Sequence, residues 1–98
     1  MRPSKAIEIV ARATEVSAEA ILGARRYREE VEARWLLIWL WRAEWGLGVS
    51  TISRRLKRDH AAILSGLRAH SNLADQSKFY RRKIDDVKAE YEREKNAK

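Results

Sequence analysis

Apolar positions recur along the chain at steps of three and four, the period of a helix with one buried face. Ile7, Val10, Ala11 and Thr14 form the inward stripe of a first helix, with Pro3 suited to its first turn and an end near Thr14. Ser17 can cap a short second helix with Glu19 near its positive dipole end, and Gly23 offers the left-handed conformation that stops it. A basic link, Ala24-Arg25-Arg26-Tyr27-Arg28, leads into a long helix whose first turn is acidic (Glu29, Glu30, Glu32). That helix ends at Gly46, with Leu47 placed for the hydrophobic contact that follows a glycine stop.

Ser50 then reads as the N-cap of a helix through Leu56. Asp59 reads as the N-cap of another, running from His60 to about Leu73 and turning Ile63, Leu64 and Leu67 inward. Only Lys57 and Arg58 separate the two, and so tight a turn between a short helix and a cation-flanked one is the helix-turn-helix pattern. From Ser77 onward, Tyr80, Ile84, Val87 and Tyr91 fall at steps of four, three and four, one stripe that can pack back on the domain or on a partner. Residues 92–98 have nothing apolar to bury and are expected to fray. With one Pro, four Gly and no run rich in β-branched residues, the expected fold is all-α: a helix-turn-helix domain of about six helices. A chain of 98 residues suits a single domain, residues 1–98, with its core over about 5–91.

Charge changes the picture more than composition does. The net charge is +7, and it is unevenly spread: residues 1–50 carry 8 basic and 7 acidic side chains, residues 51–98 carry 13 and 7. The surplus favours an acidic partner, nucleic acid or an anionic membrane surface, through attraction and counterion release. The longest apolar run, Trp35 to Trp41, is far shorter than the roughly 20 residues a membrane span needs, and the N-terminus has no signal-peptide core. Without cysteine, neither a disulfide nor a thiolate zinc site can hold the fold. The expected setting is cytoplasmic and nucleoid-associated, with no membrane partner.

Within "RRLKRDHAAIL" an Asp-His pair sits beside cations, which suggests acid/base chemistry, a metal corner, a nucleic-acid reader or a capped helix start. Neighbouring helical residues point about 100° apart, and no Gly-framed Ser or Cys nucleophile accompanies the pair, so an enzyme is not expected. His60 and His70 are ten positions apart, not the four that put two ligands on one helix face, so neither metal nor cofactor is expected. Capping and reading can coexist, because the first turn of a recognition helix is the part that meets base edges.

"RDHAAIL", with "GARRYREEVEAR" and "GLGVSTISRRL" upstream, resembles the DNA-binding domain of the bacterial replication initiator DnaA, in the same order of elements over roughly residues 5–90. The family pattern is a basic loop, a long helix starting near an Arg, then Ser-Leu-Pro-Glu-Ile-Gly and Gly-Gly-Arg-Asp-His-Ser/Thr-Thr-Val-Leu-His. The resemblance implies that Arg26 enters the minor groove with Arg25 beside it, and that Arg34 contacts phosphate. It also implies that Arg58, Asp59 and His60 stand at the mouth of the recognition helix, Asp59 and His60 meeting base edges. A carboxylate can accept from cytosine's amino group and a ring nitrogen can donate to a purine.

The departures bear on specificity. Ala61 and Ala62 replace two hydroxyl residues, although the Ala61 methyl can meet a thymine methyl, so a different target sequence is expected. Ser50 replaces the Pro, Lys57 replaces the double Gly with one residue fewer, and Trp35 replaces a polar phosphate contact. Arg54, Arg55 and Lys57 add cations that, with Arg58, are expected to neutralise phosphate, and Ser50 completes the expected DNA-facing set. The initiator's ATPase portion has no room in 98 residues and no phosphate-binding Gly-rich loop is present. The resemblance therefore implies a free-standing regulator of transcription, of the kind carried by prophages and gene-transfer-agent clusters.

Trp35, Trp39, Trp41 and Trp45 crowd one helix that is apolar on almost every face. They form either a core helix with rings at its edges or an exposed patch, and Trp41 or Trp45 is expected to be partly exposed. In the second case Trp41 and Trp45, with the stripe Tyr80, Ile84, Val87 and Tyr91, would serve a protein partner. That partner would be a second regulator, RNA polymerase or another copy of the chain. The competing readings are thus a protein-interaction adaptor, or a replication or packaging accessory that binds double-stranded DNA without regulating a promoter.

Overall fold

A computed structural model describes residues 1–97 as six helices with no strand among them: α1 (Lys5–Thr14), α2 (Ala18–Leu22), α3 (Arg28–Trp45), α4 (Val49–Leu56), α5 (His60–Gln76) and α6 (Lys78–Asn96). The fold is the expected all-α helix-turn-helix architecture. Helix α3 is the axle. It buries Ala33, Leu36, Leu37, Ile38, Leu40 and Trp41, packing against α1 on one side and α5 on the other.

Its ends are set as the sequence implies. Glu29 and Glu30 occupy the positive end of the helix dipole, and Gly46 takes a left-handed φ of 64° that lets the Leu47 amide reach back to Trp41 O at 3.1 Å. Where α5 crosses α3, Gly66 permits the approach: a Cβ there would lie 3.0 Å from Trp35 Cδ1 and 3.1 Å from Ile38 Cδ1.

Several local expectations are corrected. Gly23 is extended, not left-handed, and closes α2 through its amide on Ala20 O. The N-cap of α4 is Gly48; Ser50 lies inside the first turn and caps nothing. Leu64 is 45% exposed, because the inward stripe of α5 is Ile63, Gly66, Leu67 and His70. The tail does not fray from residue 92. Helix α6 continues to Asn96, and Arg12 pairs with Glu90 and Glu94 across the α1–α6 contact. Lys98, the last residue of that expected tail, lies outside the described residues.

The tryptophans divide. Trp41 is 1% exposed and its indole donates to Pro3 O at 2.7 Å, whereas Trp45, partly exposed, donates to Met1 O at 3.0 Å. Trp41 therefore offers no surface to a partner, and the same correction applies to most of the α6 stripe. Tyr80, Ile84 and Val87 are buried because α6 packs back on α1 and α5, and Tyr91 sits edge-on to Trp45 at 5.6 Å. A charged helix with a single apolar stripe gains most by burying it, and here its own chain supplies the cover.

Candidate nucleic-acid interface

Ile52 and Leu56 of α4 and Ile63 of α5 are buried together, which fixes the two helices around the turn Lys57–Asp59. Lys57 adopts a left-handed conformation (φ 55°), the shape for which glycine is the usual choice. The Arg58 amide then reaches Ser53 O at 3.1 Å, and the Ser53 hydroxyl donates to Arg58 O. Asp59 Oδ1 accepts from the Ala62 amide at 3.1 Å, a side-chain cap that occupies one carboxylate oxygen.

The two side chains of the Asp-His pair are engaged separately: one carboxylate oxygen is turned to the backbone, and His60 Nε2 meets Ser50 Oγ at 3.2 Å. Among the described residues, no three His, Asp or Glu side chains gather as a metal site would require.

With Ile63, Gly66, Leu67 and His70 turned inward, the outward face of α5 carries His60, Ala61, Leu64, Ser65 and Arg68, all exposed. His60, Leu64 and Arg68 are spaced by four, and Ala61 and Ser65 run beside them. The face mixes methyl groups, hydroxyl, ring nitrogen and guanidinium, the groups that meet base edges. Leu64, Ser65 and Arg68 were not in the expected set. The signal that finds them is the inward stripe at 63, 66, 67 and 70, which includes a glycine and a histidine that hydrophobicity alone passes over.

The expected cations fall into two groups. Arg54, Arg55 and Lys57 stand exposed on α4 and the turn, with Arg55 lying over the Trp41 indole at 5.7 Å. In the basic loop, Arg25 forms a two-point pair with Glu30 (2.8 and 3.3 Å) and lies over Tyr27, and Arg28 pairs with Glu32. Arg26 between them is exposed and has no acidic partner among the described residues.

Arg34 and Arg58 are turned to the protein's own backbone. Arg34 is 6% exposed, and its guanidinium donates to the carbonyls of Ile21 (2.7 Å), Ala20 (3.1 Å) and Arg25 (3.4 Å). Burial, with Arg58 and Arg26 nearby and Glu30 opposing, draws its pKa below the usual arginine value. Arg58 donates through Nη2 to Gly23 O at 2.5 Å, while its Nε is buried without a partner among the described residues. Both guanidinium groups are aimed at the backbone carbonyls on either side of Gly23 and at its own. An open cleft separates the basic loop from α5, walled by Arg26, Trp35, Ala62 and Ser65 with Arg34 and Arg58 among its lining.

The chain matches the family model of the bacterial dnaA protein helix-turn-helix over residues 3–69. It belongs to that family. The match covers α1 to most of α5, so the basic loop, the turn and the exposed face of α5 all lie within the DnaA-type region, a helix-turn-helix DNA-binding domain; α6 lies beyond it. A search of curated proteins finds no match. Among the described residues no helix of this DnaA-type domain is long and apolar enough to cross a membrane.

Proposed function

We propose that the protein is a sequence-specific regulator of transcription that holds double-stranded DNA by two adjacent grooves. The observation that carries this reading is the exposed face of α5, whose side chains suit base edges. Leu64 and Ala61 offer methyls to thymine, the second oxygen of Asp59 suits cytosine's amino group, and His60 and Arg68 suit purines. Arg26 is the cation free to enter the neighbouring minor groove, and Arg54, Arg55 and Lys57 neutralise phosphate. Such a protein works on the nucleoid, without cofactor or catalysis, and the absence of hydroxyls at Ala61 and Ala62 points away from the initiator's own box. A regulator of the prophage or gene-transfer-agent kind fits that departure.

The test is a binding titration on random and selected duplexes at two salt concentrations. A selected site should be preferred by about 10³-fold or more, the usual lower bound for specific over nonspecific binding. Each phosphate contact should contribute about −0.9 to the slope of log K against log salt. Equal, steeply salt-dependent affinity for every duplex would sink specific regulation and leave an accessory DNA binder.

A further inference from the structure

To reach a major and a minor groove at once, a protein must straddle one sugar–phosphate backbone. The cleft between the basic loop and α5 has Arg26 on one bank and the α5 residues Ala62 and Ser65 on the other. Two side chains hold the segment that leads into the loop, one tying it to α3 and the other to the turn. Arg34, from α3, holds the carbonyls of Ala20, Ile21 and Arg25; Arg58, from the residue before the α5 cap, holds that of Gly23. Four carbonyls within six consecutive residues are thus gripped by two guanidinium groups. Arg58 is itself locked to α4: its amide donates to Ser53 O, and its carbonyl accepts from the Ser53 hydroxyl.

We propose that Arg58 is a positioning residue that couples the minor-groove loop to α5, with Arg34 as the fixed anchor on the opposite side, so that the two grooves are read as one unit. Two of its three nitrogens are turned away from solvent: Nε is buried without a partner among the described residues, and Nη2 is engaged by Gly23 O. A guanidinium suits the task because its donors sit in a rigid plane, which a lysine cannot reproduce. The inference rests on the DNA-binding reading only for its consequence; the clamp itself is a property of the free protein.

The experiment has two arms, using Arg58→Gln and Arg58→Lys with circular dichroism to confirm that each folds. In the free protein, ¹⁵N order parameters at Ala24 to Tyr27 should drop from about 0.85 to below about 0.6 in both variants while those of α5 hold. Unchanged loop order in either folded variant overturns the clamp. On the selected duplex, Arg58→Lys should lose about tenfold in affinity, the scale of one charged hydrogen bond, with the salt slope unchanged. In an Arg26→Ala background the same substitution should lose less than about twofold, because the loop then has nothing to deliver. Equal losses in both backgrounds, or a slope reduced by about one with full rescue by lysine, return Arg58 to a phosphate contact. If the wild-type chain binds no duplex, the regulatory reading fails, and the order-parameter arm still decides the clamp.

Discussion

His60 Nε2 lies 3.2 Å from Ser50 Oγ, so the first residue of α5 is tied across the turn to the first turn of α4. The contact holds an exposed ring that would otherwise rotate freely, and it gives a serine in place of the family's proline a purpose. His60→Ala should cost about 1–3 kcal/mol on the preferred site and relax preference at one base pair. Ser50→Ala should give the same pattern at a smaller size, about 1 kcal/mol, since it removes the ring's support and leaves the ring. Arg54→Ala should weaken all sites alike and lower the salt slope by about one. Competition titrations against single-base variants separate the three, and identical profiles for His60→Ala and Arg54→Ala would contradict the division of roles.

Lys57 holds a left-handed backbone that costs a residue with a Cβ roughly 1 kcal/mol. Lys57→Gly should therefore leave urea stability unchanged or raise it by up to about 1 kcal/mol, while removing one exposed cation and about one from the salt slope. Lys57→Val should lower stability by more than about 1 kcal/mol, because a β-branched residue resists positive φ. The pair isolates strain from charge. A marked loss of stability in the glycine variant would show that the lysine side chain supports the turn.

The helices and the turn were legible because local chemistry decides them: Ser17, Asp59 and Ser77 each cap where a polar residue precedes an apolar period. What the sequence hid was direction. Arg34 and Arg58 look like any arginine in a basic protein, and only the loop's path over them turns their donors to carbonyls. Leu64 reads as core by its type, yet Gly66 and His70 take the inward positions because α5 lies so close to Trp35 and Trp39. The fate of the α6 stripe depended on contacts far away in sequence, which no periodicity encodes.

The two tryptophans that bond the N-terminal residues should differ in weight. Trp41→Phe removes a buried indole donor and leaves space in the core, so it should cost about 2 kcal/mol or more in urea unfolding. Trp45→Phe breaks a contact made at the surface and should cost under about 1 kcal/mol. Equal costs would mean that the segment of residues 1–3, not the core, carries the loss.

His70 supplies the sharpest pH prediction. Its ring stacks on Trp39 at 4.9 Å, meets Tyr80 edge-on at 5.3 Å and places Nδ1 2.7 Å from the Tyr80 hydroxyl. Burial lowers its pKa to about 4, and burial with Glu32 nearby raises that of Tyr80, so the phenol stays protonated and can donate to a neutral ring. The unfolded chain takes up a proton near pH 6.5 that the folded one refuses until about pH 4. Stability from this group is therefore complete above pH 6.5 and declines as pH falls toward 4, by up to about 3 kcal/mol at about 1.4 kcal/mol per unit. Carboxylates add their own slope at the acid end, so the quantity to measure is the difference between wild type and His70→Gln. Urea midpoints at pH 7.5, 6.0 and 4.5 should converge as pH falls, because the glutamine variant lacks the proton uptake while keeping a hydrogen-bonding group beside Tyr80. Parallel curves, or an NMR titration of His70 near pH 6.5, would show that the ring is free to charge in the folded state and that Tyr80 tolerates an imidazolium.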